Sequence, residues 1–280
     1  MSIAVDNTGF SRWQHQVSHR FGRKFSKELR IPEQLWCARF SCHWAYLTDV
    51  CRSTMDLAWS LADMDRFPEG SWVLAMTQTC GRGQFGRQWD SSAGNLFATL
   101  RLPDTAADAE GLLPLAAGLI IAEELSVQGI SPQIKWPNDI LISNRKAGGI
   151  LIEHRNGCIM AGIGINIQTA PGFVADAQGS CLPACCLTQF KSGMAAHDFW
   201  YSLIQRFEQS FAGMLAAPAD LKARLEKILA FNDEWVEICQ GNRKRLACIK
   251  GIDRSGGLIL MDGNGIETLY SGQIVPRMTY

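Results

Sequence analysis

The first residues arranged to do chemistry are three glycines and two arginines. In "TCGRGQFGRQWDSSAGNLFATLRL", Thr79 to Leu102, Gly81, Gly83 and Gly86 stand in GxGxxG spacing with Arg82 and Arg87 among them. A dinucleotide fingerprint needs such glycines to open a helix whose N-terminus meets a pyrophosphate, with an acidic residue about 20 positions further on. Here they lead into turn and strand residues and no well-placed carboxylate follows, which argues against that reading. A glycine loop between two strands can still present successive backbone N–H groups to an anion, and the arginines add planar forks that match phosphate or carboxylate oxygens. The plainer alternative is a flexible surface loop.

A second group lies in "IKWPNDILISNRKAGGILIE", Ile134 to Glu153. Pro137 sets a turn between two strands, so that Lys135, Asn138 and Asp139 can be presented at one strand end. Asp139 offers hard oxygen ligands suited to Mg²⁺, which is bound through one or two carboxylates and substrate phosphates. Lys146 is followed closely by Gly148 and Gly149, which let backbone pass near a ligand while the ammonium reaches it. Each of these residues taken alone is more commonly a solvated charge. Together with the arginine loop they describe a site for nucleotide phosphates. A third piece, "AGIGINIQ", reads either as a buried strand packed through its glycines or as a strand lying under a ligand, with Asn166 at its edge.

These residues need a scaffold, and hydrophobic periodicity supplies one. The sequence predicts a helix in "STMDLAWSLADMDRF", strands in "SWVLAMTQT" and "NLFATLRL", and a nearly all-apolar helix in "AEGLLPLAAGLIIAEELSVQG". Short β runs follow at "PQIKWP", "DILISN", "GGILIEH" and "CIMAGIGINI", with turns at Asn144 and Arg145 and at Asn156 and Gly157, suggesting a mostly antiparallel sheet. A helix from His197, with Pro218 at its end, closes this domain. Beyond a boundary near residue 230, short strands with Gly turns about 8 to 12 residues apart suggest a small barrel. The division is 1–44 as a solvated N-terminal extension, 45–230 as the catalytic domain and 231–280 as the barrel. The extension holds a basic cluster, Arg20, Arg23, Lys24, Lys27 and Arg30, and is too short and irregular for a helix-turn-helix.

With 280 residues the chain can hold a large and a small domain, and its 27 basic and 27 acidic residues give no overall attraction for a polyanion. No run approaches the roughly 18 uninterrupted apolar residues of a membrane span, and no secretory leader is visible. A cytoplasmic protein bound to neither membrane nor nucleic acid is expected. The 10 cysteines sit mostly in apolar runs, as buried thiols do in a reducing compartment. Cys37, Cys42 and His43, or Cys181, Cys185 and Cys186, are alternative metal ligands, but neither set has paired CxxC spacing.

In order and spacing, "GRGQFGRQWDSSAGNL", "KWPNDILISNRKAGGIL" and "GIGIN" resemble the biotin protein ligase family, and "GIDRSGGLILMDGNGIETLYSGQI" is similar to that family's C-terminal barrel. The resemblance implies an α+β fold: a mixed sheet with helices like that of class II aminoacyl-tRNA synthetases, followed by an SH3-like barrel, here without the winged helix some members carry. It implies condensation of biotin with ATP to biotinyl-5′-AMP and transfer of biotin to a lysine of a biotin carboxyl carrier domain, by a monomer or homodimer.

By the same resemblance Lys146 contacts both the biotin carboxyl and the phosphate, with Arg82 and Arg87 as further catalytic cations. Ser53, Thr54, Gln78, Gly81, Arg82 and Gly149 line the biotin pocket. Arg82, Gln84, Arg87, Trp89, Lys135, Asn138 and Asn166 bind ATP, and Asp139 holds Mg²⁺. The family's usual Ser-Thr-Asn is "STM" here, with Met55 in place of the amide, and Gln84 replaces the second arginine of GRGRxG. Two other readings of the same sequence are a lipoate or octanoate transfer enzyme of this fold and a noncatalytic biotin or adenylate sensor.

Overall fold

The structure is a computed structural model and describes residues 7–21, 26–28, 35–40, 42–171, 173–175, 181–241 and 243–276. Along the chain come α1 (Asn7–Phe21), β1 (Ser26–Glu28), β2 (Leu35–Phe40), β3 (His43–Cys51), α2 (Thr54–Ala62), β4 (Trp72–Gln78) and β5 (Leu96–Leu102). Then follow α3 (Leu113–Val127), β6 (Pro132–Lys135), β7 (Asp139–Ile142), β8 (Arg145–Arg155), β9 (Cys158–Ile165), β10 (Phe173–Ala175) and β11 (Cys181–Pro183). The last elements are α4 (Ala196–Ala216), α5 (Pro218–Glu226), β12 (Trp235–Gln240), β13 (Arg243–Ile252), β14 (Leu258–Asp262), β15 (Gly265–Leu269) and β16 (Gln273–Val275). They fall into two compact units that interleave in sequence: 1–104 with 151–170 and 186–205, and 105–150 with 171–185 and 206–280.

In the first unit the strand order is β1-β2-β3-β4-β5-β9. The β3/β4 pair is parallel and the others are antiparallel, so the sheet is mixed. Its helix α2 starts where Ser53, in extended backbone, accepts a hydrogen bond from the Met55 N–H at 3.2 Å. The Leu, Ala, Met and Trp residues that follow are good helix formers or core fillers, and α2 buries Met55, Leu57, Ala58, Trp59 and Leu61 with Tyr46, Phe67, Val73 and Met160. Trp72 and Trp200 add an edge-to-face pair at 5.8 Å.

The extension is not merely a solvated lead-in. Val17 of α1 is wholly buried, which is worth about 1.5–3 kcal/mol. Arg20 lies 3.2 Å from Asp198 and stacks over Tyr201, while Leu35, Cys37 and Ala38 of β2 are buried beside β3. Periodicity was too weak to reveal this because both pieces are short and gain stability from packing. Arg23, Lys24 and Arg30 lie outside the described residues, as does the side chain of Lys27.

In the second unit β6, β7 and the first part of β8 form consecutive antiparallel pairs. Strand β8 continues past residue 150 into the first unit. The β7/β8 turn uses Ser143 and Asn144, both at positive φ, so it lies one residue earlier than the expected Asn144 and Arg145. Helix α3 is apolar on all sides and almost all of it is buried; the Asp104–Val127 stretch is long and apolar enough to span a membrane by composition alone, yet 61% of its apolar window is inside the protein. Pro218 does more than end α4. It opens α5, where its missing N–H costs nothing.

A separate five-stranded antiparallel sheet, β15-β14-β13-β12-β16, completes this unit. The β13/β14 loop is organised by Asp253, which accepts from the Ser255 and Gly257 N–H groups and from the Tyr270 hydroxyl. At its tip Gly256 has φ +88, and a Cβ there would run into the Gly111 carbonyl group.

Candidate active site

The start of α2 and the end of β4 meet at Thr54 and Gln78. Gln78 Oε1 accepts from the Thr54 N–H at 2.8 Å and from its hydroxyl at 3.2 Å, and Thr54 Oγ1 accepts from the buried Thr99 hydroxyl at 2.9 Å. The Gln78 amide donates to Ser91 Oγ at 2.9 Å, and Ser91 donates in turn to the Trp89 carbonyl at 3.2 Å. One chain of hydrogen bonds therefore fixes which way the Gln78 amide faces. Ser53 and Thr54 are nearly fully buried here, whereas Met55 belongs to the core and presents no polar group.

The glycine loop rises directly from this chain. The Gly81 carbonyl accepts from Trp89 N–H at 2.8 Å and the Arg87 carbonyl from Gly83 N–H at 2.7 Å, so the loop is a ribbon whose tip is Gln84–Gly86. Phe85 at the tip is 68% exposed with φ 58, and Arg87 lies over its ring at 5.6 Å. The Arg87 Nε is buried without a hydrogen-bond partner among the described residues. Trp89 packs against β9, where a Cβ on Gly164 would come within 2.7 Å of the indole; this close approach accounts for the second glycine of "GIGIN". Asn166 follows β9 and is 3% exposed. The turn after it is wrapped around Asn95, whose Oδ1 accepts from the N–H groups of Ile167, Gln168 and Thr169 at 2.9–3.1 Å.

Arg82 is held by carboxylates. Its Nε and Nη2 lie 3.1 and 3.4 Å from Glu153, and its Nη1 donates to Asp56. Burial disfavours the Arg82 cation, but its hydrogen bonds to Glu153 and Asp56 and their charges outweigh this and raise its pKa above the ordinary value.

In the second unit Asp139 stands between two lysines, with Oδ1 2.5 Å from Lys146 Nζ and Oδ2 3.8 Å from Lys135 Nζ. All three side chains are at least 85% shielded, and as a trio they carry a net positive charge suited to an oxyanion. A β-bulge between Ile140 and Leu141 creates the pairing: it sets Lys146 opposite Leu141, and so on the face shared by Asp139 and Gly149. The Asn138 amide, expected at the nucleotide, donates to the Ile150 carbonyl at 2.6 Å and pins the turn to β8. Both Asp139 oxygens face ammonium groups, and among the described residues no cluster of three His, Cys, Asp or Glu could hold a metal. A Mg²⁺ held by Asp139 and substrate phosphates would have to share this carboxylate with the two ammonium groups. The nine described cysteines are all free.

Residues 47–169 match the family model described as the Biotin/lipoate A/B protein ligase family. The chain is 30% identical over 222 residues to the biotin--[acetyl-CoA-carboxylase] ligase of Paracoccus denitrificans, covering 73% of this chain and 89% of that one. The chain belongs to the biotin protein ligase family. Within the family it is also 39% identical over 136 residues to the bifunctional ligase/repressor BirA of Bacillus subtilis, although that match spans only 42% of the relative. The biotin protein ligase of Aquifex aeolicus, solved in complex with biotin and ATP, shares the fold with a TM-score of 0.72 at 24% identity, over 84% of this chain and 99% of that one.

Of the family residues expected from sequence, Ser53, Thr54, Gln78, Gly81, Arg82, Gln84, Arg87, Trp89 and Asn166 lie in the first unit and Lys135, Asn138, Asp139, Lys146 and Gly149 in the second. Thr99, Ser91, Asn95, Asp56, Trp59 and Glu153 were missed. Thr99, Asp56 and Trp59 make contacts distant in sequence and carried no local signal, whereas Ser91 and Asn95 stand inside the glycine-loop motif and Glu153 at the end of "AGGILIE".

Proposed function

We propose that this chain activates biotin with ATP and transfers it to a lysine of a biotin carboxyl carrier domain. A biotin carboxylate oxygen attacks the α-phosphorus of ATP, the bond to the β-phosphate oxygen breaks, and pyrophosphate leaves. The carrier lysine amine, having lost a proton, then attacks the mixed-anhydride carbonyl and AMP departs. Two anions must approach in the first step, so cations have to act where charge develops. The observation that carries the reading is Lys146, shielded and aimed by Asp139 beside Lys135 within a family whose members ligate biotin. A point charge on a fixed stem can follow an oxygen from carboxylate to phosphate ester. In the first unit the Arg87 Nε, which lacks a partner among the described residues, suits an anionic group of the nucleotide. The oriented Gln78 amide and the Thr54 hydroxyl suit the ureido ring, and Trp89 with Asn166 suits the adenine side.

The mixed sheet with helices supports a class II synthetase-like catalytic fold, and the five-stranded sheet from Trp235 supports an SH3-like barrel. Free thiols among the described residues support a cytoplasmic setting, and balanced charge supports action without nucleic acid or membrane; monomer or homodimer rests on the resemblance alone. The test is incubation with ATP, Mg²⁺, biotin and a carrier domain, scored by streptavidin blot and pyrophosphate release. Biotinylated carrier is expected. Lipoylated carrier, or no pyrophosphate, would overturn the reading.

A further inference from the structure

The residues around Arg82 form a network that the reaction scheme above does not use. Asp56 and Trp59 are three positions apart on α2 and so share one helix face. The Trp59 indole N–H donates to Glu153 Oε2 at 2.8 Å, and Arg155 lies over the same indole at 4.8 Å. Glu153, fixed in this way, takes the Nε and Nη2 side of the Arg82 guanidinium while Asp56 takes Nη1. A guanidinium has five N–H groups; three are engaged here and two are left. We propose that Asp56, Glu153 and Trp59 are positioning residues that hold Arg82 at the base of the glycine loop with its remaining N–H groups presented to the oxyanion of the activated substrate.

The physical case rests on preorganisation. A long arginine side chain left free loses rotamer entropy when it binds, and one already clamped does not. The carboxylates also offset the desolvation of the cation in a partly shielded place. They accept on the side and one end of the planar group, so an oxyanion can share the guanidinium without displacing them. Lysine could not do this, because an ammonium cannot span two carboxylates and still offer a planar pair.

The inference rests on the biotin-activation reading, and two measurements keep the two separable. The first is the rate of biotin-dependent pyrophosphate release for wild type, Glu153→Gln, Asp56→Asn, Trp59→Phe, Arg82→Gln, Arg82→Lys and the Glu153→Gln/Arg82→Gln double variant. Glu153→Gln is expected to lower kcat about tenfold with biotin affinity unchanged, Trp59→Phe to act in the same direction by about threefold, and Arg82→Lys not to rescue. The double variant should be no slower than Arg82→Gln alone. Full additivity, or tighter ATP binding once a carboxylate is neutralised, would overturn the proposal, the latter because it would make the carboxylates competitors. The second is modification of Arg82 by phenylglyoxal, read by mass spectrometry without substrates. Slow modification in wild type and faster modification in Glu153→Gln and Asp56→Asn is expected; equal rates would show that no clamp exists, whatever the enzyme's activity.

Discussion

The indole N–H of Trp136 donates to the Gly256 carbonyl at 2.8 Å, joining residues 120 positions apart. Trp136 is 3% exposed and adjoins Lys135, so the loop of the C-terminal sheet is bonded to the turn that presents the lysine–aspartate trio. Trp136→Phe keeps the ring and removes the donor, leaving a buried carbonyl unsatisfied at a cost of about 1–3 kcal/mol. Thermal unfolding should shift down by a few degrees and the KM for ATP should rise. An unchanged KM would confine the bond to stability.

Lys146→Ala is expected to abolish pyrophosphate release while circular dichroism stays that of wild type, since the charge matters more in the transition state than in the ground state. Lys146→Arg should fail as well, because a planar fork cannot replace the ammonium beside Asp139. Near-normal release by the alanine variant would remove Lys146 from the mechanism.

Asp139→Asn leaves Lys146 and Lys135 facing a neutral amide. Adenylate formation should slow by about tenfold or more, while the Mg²⁺ concentration giving half-maximal rate stays the same. A large shift in that concentration would make Asp139 a metal ligand.

Gln84 stands at the loop tip where the resemblance places an arginine. A charge-assisted phosphate contact is worth about 1.5–3 kcal/mol against about 1 for a neutral one. Gln84→Arg should therefore slow biotinyl-5′-AMP dissociation by roughly tenfold. A rate equal to or faster than wild type would show that Gln84 does not face the adenylate.

Burial holds the His197 imidazole below its ordinary value of 6.5, with Arg20 adding to the effect and Asp198, 3.7 Å away, opposing it. The folded pKa is the lower one, so the unfolded chain takes up the proton first. This contribution to stability is complete above the unfolded value near 6.5 and is lost as pH falls towards the folded one. Between about pH 7 and 5, melting temperature should fall less in His197→Gln than in wild type.

The motif strands and long helices were legible because they carry strong periodicity: β4, β5 and α3 fall within a few residues of expectation. That the glycines lead into turn and strand and not into a long helix was legible because the pattern is local. α5 was hidden because Pro218 reads as a stop when its neighbours are weakly apolar, and the last β run is broken into β15 and β16 by the Ser271-Gly272 pair. The pairing of Asp139 with Lys146 was not legible, because nothing local reveals a bulge opposite Ile140 and Leu141, and without that bulge Lys146 would point to the other face. The carboxylates on Arg82 belong to α2 and β8, and no spacing rule links Asp56 to Glu153.

The interleaving of the units also has consequences during synthesis. Strand β5 pairs with β9, which follows it after the whole of α3 and β6 to β8. At about 5–20 residues per second, the nascent chain would carry β5 as an unpaired edge for roughly 3–10 s. Leu96, Phe97 and Leu100, all buried in the finished protein, would be incompletely covered throughout that interval. A ribosome pausing before Cys158 would thus lengthen the window in which sister chains can aggregate, and a fragment ending at residue 104 should precipitate when expressed alone.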